Sequence, residues 1–173
     1  MEAHRKISLK CADGQDLQVN YDALLMSKFF YNMFEDQDMP NDTVPVSNAP
    51  LLTKANMEAV MEYCEFAYKS HPPKIQKPIK QNSIYDITSP WYAKFASKYA
   101  DSQLCELILV ANYLENDGLL QLLSAKLACD LKPKTVEEVR AFFGVQNDYT
   151  ADEIKRLDEQ KEEAKEIFEL EDD

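Results

Sequence analysis

The 173-residue chain has only three glycines, Gly14, Gly118 and Gly144. That scarcity excludes the glycine-rich loops that cradle phosphates. Its two histidines are no richer in chemistry: His4 sits near the start of the sequence and His71 beside Pro72, neither with a Cys, Ser or second His at useful spacing. No nucleophile with its base and no metal-ligand cluster is legible, so catalytic residues, metal and cofactor are all expected to be none. No run approaches the roughly 20 apolar residues of a membrane span, and the opening Met-Glu-Ala-His-Arg does not read as a signal peptide. Positive charge is in deficit, with 19 Lys and Arg against 31 Asp and Glu and a net charge of -12. Such a balance repels phosphate backbones and anionic lipid, so neither nucleic acid nor membrane is an expected partner. The four cysteines, Cys11, Cys64, Cys105 and Cys129, are widely spaced in apolar or alternating surroundings. They read as reduced thiols of an intracellular protein, not as a disulfide frame or a zinc site.

What remains is the composition of a globular chain, 45% hydrophobic and 29% charged. KISLKCADGQDLQV alternates Ile7, Leu9 and Cys11 with polar residues, and Leu17 and Val19 follow Asp13-Gly14, which predicts a β-hairpin. YDALLMSKFFYNMF has helical spacing, EDQDMPND reads as a loop, and TVPV as a third strand. TKANMEAVMEYCEFAYKS predicts a helix with Met57, Val60, Met61, Cys64 and Tyr68 on one stripe. Residues 71–90 break every periodicity, hold four of the eight prolines and set Lys74, Lys77 and Lys80 against Asp86; they predict a linker, at least partly disordered.

Beyond the linker, helices resume at Trp91. ELILVANYL is apolar around most of a helix that is expected to end in a left-handed cap near Gly118. LLQLLSAKLACDL runs to a stop at Pro133. Thr135 with Glu138, and Thr150 with Glu153, fit capping boxes. Two questions stay open in these residues. Asn112 and Tyr113 either face a partner or are taken up inside the chain, Asn112 on a carbonyl and Tyr113 in the core. Phe142, Phe143 and Val145 either form an ordinary helical core or leave a groove for a partner's helices.

KISLKCADGQDLQV, VPV, VMEYC before the Pro-Pro pair, PWYAKF, ELILVANYLENDGLL and KTVEEVRAFFGVQNDYTADE stand in this order. Together they resemble the S-phase kinase-associated (Skp) adaptor family of SCF ubiquitin ligases, from Lys6 to about Lys161. The resemblance implies an α/β chain: a BTB/POZ-type domain, a small sheet with helices, over 1–131, then C-terminal helices over 132–173 forming an F-box-binding groove. It implies a non-enzymatic bridge between a cullin scaffold and F-box proteins, cytoplasmic and nuclear. The cullin face would comprise Asn112, Tyr113, Ile108, Leu104, Met39 and Pro40. The F-box groove would comprise Leu120, Leu127, Phe143 and Val145, with Ile167 and Phe168 standing in for a Trp-Cys pair usual in the family and replaced here by Glu163-Ala164. Two further departures are Val136 in place of a proline that is modified in some relatives, and lysines in a linker that is commonly acidic. Alternatives of the same class are an F-box complex outside the ligases, of kinetochore or proton-pump type, and a self-assembling BTB scaffold; a weak homodimer of the free chain is also expected.

Overall fold

The alternation in residues 6–19 folds as a hairpin. Strand β1 (Lys6–Lys10) pairs antiparallel with β2 (Asp16–Asn20), Ile7 opposite Val19 and Leu9 opposite Leu17. Gly14 closes the turn at φ +77°, a conformation open to a residue without Cβ, and its N–H donates to the Cys11 carbonyl at 2.9 Å. A short β3 (Val44–Pro45) joins the far side of β1 in parallel, giving the order β2-β1-β3. Pro45 has no amide to donate, which suits this edge position. The computed structural model describes residues 5–35, 40, 42–46 and 49–169, with residues 163–169 by backbone alone.

Among the described residues up to Pro133, six helices cover and extend this sheet: α1 (Tyr21–Leu24), α2 (Lys28–Phe34), α3 (Lys54–Lys69), α4 (Pro90–Ala96), α5 (Asp101–Tyr113) and α6 (Asp117–Leu131). Asn20 caps α1, its side chain accepting from the Asp22 and Ala23 amides, and Thr53 caps α3. The α3 stripe buries Met57, Val60, Met61 and Cys64, as the spacing predicts, but then passes through Tyr63 and Ala67 and leaves Tyr68 exposed. The reason is α4, whose Tyr92 and Phe95 rings lie 5.8 and 5.9 Å from the Tyr63 ring, while Trp91 stacks on Phe66 at 3.7 Å.

Residues 71–90 differ from the expected partly disordered linker. They carry a 3₁₀ turn (Ile84–Asp86), seat Ile75 and Ile84 in the core, and are tied down where the Lys132 ammonium donates to the Lys80 carbonyl. Gly118 also differs from expectation. Helix α5 closes at Leu114, and the left-handed position falls on Glu115 at φ +50°. Gly118 lies inside α6, where a Cβ would overlap the Tyr63 hydroxyl. Close approach of two elements, not a turn, requires glycine there.

The chain divides into two compact units, Met1–Pro133 and Lys134–Asp173. The second holds α7 (Val136–Phe143) and α8 (Ala151–Glu169). Both capping boxes form: the Thr135 amide donates to Glu138 and the Glu138 amide to Thr135, with the same exchange between Thr150 and Glu153. Gly144 ends α7 at φ +64°, and the Val145 N–H returns to the Arg140 carbonyl at 2.9 Å.

Candidate protein-interaction surfaces

Helix α5 sorts its apolar residues by phase. Leu104, Leu107, Val110 and Ala111 form the buried row, followed by Leu114 in the cap. The opposite side carries Cys105 and Leu109, then Asn112 and Tyr113, at steps of four, three and four residues, which place them on one face. Leu109 is 55% and Tyr113 40% exposed, and Asn112 is exposed beside them. The Tyr113 ring leans on Phe29 of α2 with centroids 5.4 Å apart, so it is braced on one side and open on the other. Its setting is stiff: Ser27 Oγ donates to the Leu114 carbonyl at 2.5 Å, the Phe29 amide donates to the same oxygen at 3.3 Å, and Lys28 pairs with Asp117 at 2.6 Å. Start of α2, end of α5 and start of α6 are thereby fastened to one another.

The internal polar role belongs to a neighbouring asparagine. Asn116 is buried; its Oδ1 accepts from the Leu119 amide at 3.1 Å and its Nδ2 donates to Cys64 Sγ at 3.2 Å. Asn112 is thus free to face outward. Burial pushes the Cys64 thiol up to about 12 and raises those of Cys11 and Cys129, which keeps all three protonated, the reverse of an activated nucleophile. Among the described residues no group of His, Cys, Asp and Glu comes together as a metal site, and no helix is long and apolar enough to cross a membrane.

The second unit presents a different surface. None of its residues with described side chains is buried. Val136 is 61%, Phe143 50%, Val145 58% and Ile154 40% exposed. The Phe142 and Phe143 rings meet edge to face at 4.8 Å without enclosing each other. Large apolar side chains held on or beside capped helices, with no described side chain of the unit covering them, are a binding surface in form.

Two family models match this chain, one described as Skp1 family, tetramerisation domain, over residues 5–69, the other as Skp1 family, dimerisation domain, over 117–167. The S-phase kinase-associated protein 1 homolog of Tetrahymena thermophila is 33% identical over 161 residues, which cover 93% of this chain and 95% of that protein. The chain belongs to the Skp1 family. SKP1-like protein 1A of Arabidopsis thaliana is 33% identical across 88% of this chain and 92% of its own length. The SCF ubiquitin ligase complex protein SKP1a of Dictyostelium discoideum is 28% identical across 90% of this chain and 93% of its own. The α/β architecture is accordingly the Skp1-family POZ domain, a three-stranded mixed sheet with helices, followed by C-terminal helices.

The residues expected at the cullin face of this Skp1-family chain divide. Asn112 and Tyr113 are exposed, Ile108 and Pro40 are half-buried, and Met39 lies outside the described residues. Leu104 is a correction: it is 1% exposed and belongs to the core. Nine residues separate it from Tyr113, two and a half helical turns, so the two point to opposite sides of α5. Leu109 holds the exposed place on that face, and the i, i+4 step back from Tyr113 is the signal that finds it. Of the residues expected to hold an F-box, Leu120 and Leu127 are half-buried on α6 of the first unit, Phe143 and Val145 are exposed on the second, and the side chains of Ile167 and Phe168 lie outside the described residues.

Proposed function

We propose that this Skp1-family chain is a non-catalytic adaptor of an SCF-type cullin-RING ubiquitin ligase, bridging a cullin scaffold to F-box substrate receptors. The observation that carries the reading is a pair of open apolar surfaces on two different units. One is the α5 face of Leu109, Asn112 and Tyr113, the other the uncovered Phe143 and Val145 with their neighbours. A bridge needs two separable docking faces and no chemistry of its own. It works by raising the effective concentration of substrate at the ligase's catalytic module. The braced tyrosine of α5, a rigid ring with one polar end, is suited to a cullin helix. The apolar side chains of α7 on the second unit suit the helices of an F-box, and so, on the first unit, do the half-buried leucines of α6. The complex in the name of the Dictyostelium relative supports the same assignment.

The test is the double substitution Asn112→Lys, Tyr113→Lys in the full chain. Affinity for a cullin N-terminal domain should fall by roughly 30-fold or more, as for loss of a single anchoring residue. F-box binding should be unchanged. Stability should drop by only about 1 kcal/mol, because Asn112 is solvated and Tyr113 loses one ring contact. Unfolding of the variant, or cullin affinity equal to that of the unaltered chain, would contradict the assignment.

A further inference from the structure

Helix α6 turns Leu119, Leu122, Leu123 and Cys129 into the core and leaves Leu120, Ser124 and Ala128 on its outer side. Against that outer side runs the 71–90 segment as a strap. Between them lies an open groove of ≈ 600 Å³, floored by Ile75, Pro78 and Ile79 of the strap and Leu120, Ala125 and Ala128 of α6. Its rim is basic. Lys77 borders it directly; beyond its lining, Lys132, one turn past Ala128 on α6, donates to the carbonyl of Lys80 in the strap. Among the described residues Lys77, Lys80 and Lys132 have no carboxylate ion pair, and the nearby Asp130 is occupied by Lys126. Lys77 on the groove, with Lys80 and Lys132 near it, places positive charge beside an apolar surface in a chain whose net charge is -12.

We propose that the strap is a receptor-selecting wall. The groove seats an amphipathic helix of an F-box receptor whose apolar stripe lies on Leu120 and Ala128 and whose flank presents carboxylates to Lys77, Lys80 and Lys132. This rests on the reading of α6 as part of the receptor groove and adds to it the charge pattern of the receptors chosen. An apolar floor selects a peptide over a polyphosphate, and the acidic remainder of the chain repels long polyanions. The strap is already placed, because burial of Ile75 and Ile84 holds it without a ligand, so little backbone ordering opposes docking.

The experiment titrates the full chain with one receptor's F-box domain made in two versions, three glutamates on the exposed flank of its groove-facing helix or three glutamines. The chain should prefer the glutamate version by about three- to tenfold at low salt, the sum of three exposed ion pairs, and the preference should shrink at high salt. In Lys77→Glu, Lys80→Glu, which keeps the Lys132 tie to the strap, the preference should invert; in Lys77→Gln, Lys80→Gln it should largely vanish. Equal binding of both versions by the unaltered chain, with normal affinity, would overturn the strap proposal and leave the groove reading standing. Failure of both versions to bind would overturn both readings. A dimer of the free chain that the Lys→Glu variant dissolves would also overturn it, assigning the groove to a second copy.

Discussion

Phe143→Ala separates a groove residue from a core residue by magnitude. A phenylalanine fully buried in a core loses about 3 to 5 kcal/mol on truncation to alanine, because transfer and cavity terms add. Phe143 is 50% exposed on a helix that buries none of its residues. Full burial of such a side chain is worth about 1.5–3 kcal/mol, so half of that is at stake, and part of it is the contact with Phe142 next door. Alanine is also the better helix former, which returns about half a kcal/mol. The net loss should therefore stay below about 1 kcal/mol. If the same ring fills a partner's pocket, truncation should weaken F-box binding by about 2 kcal/mol or more, some 30-fold. Denaturant unfolding of the full chain and calorimetric titration with an F-box domain give the two numbers. A stability loss of 3 kcal/mol, or F-box affinity unchanged, would refute the reasoning.

Gly118→Ala should destabilise by about 1–3 kcal/mol through overlap with the Tyr63 hydroxyl. Tyr63→Phe should cost little, since that buried hydroxyl meets no protein partner among the described residues, and the double variant should recover to the stability of the unaltered chain or above it. Additive losses in thermal unfolding would place the strain elsewhere. The carboxylates of Glu138 and Glu153 are held below the usual 4.5 by the Thr135 and Thr150 amides they accept from. A depressed folded value means that their contribution is complete above pH 4.5 and is lost as pH falls through it. The extra helicity of the chain over Glu138→Gln, Glu153→Gln should thus fade below pH 4.5 by circular dichroism; a difference that persists unchanged to acid would deny the caps their charge.

The elements written in local chemistry are legible in the sequence. The hairpin is announced by alternation around Asp13-Gly14, and the ends of α7 and α8 by Thr135, Gly144 and Thr150, because turns and caps are decided within four residues. What fails is decided by distant partners. Gly118 reads as a cap until Tyr63 arrives from α3, fifty-five positions earlier in the numbering. The strap reads as disordered because Ile75 and Ile84 are too isolated to show a period, although each finds a place in the core. The resemblance puts Leu104 on the cullin face, whereas the helical phase of α5 places it on the buried side. The same phase, applied backward from Tyr113, leads to Leu109. The openness of Phe143 and Val145 could not be told from core packing, since an apolar residue is written the same way whether its cover comes from its own chain or another.

The most direct measurement is a sequential titration: the full chain with an F-box domain, then the resulting pair with a cullin N-terminal domain. Saturable binding at each step and a 1:1:1 complex are expected, with neither partner displacing the other, because the cullin face draws on α5 and the F-box surface on α6 and α7. Mutual displacement, or F-box binding with no cullin binding at any concentration reached, would contradict the bridge.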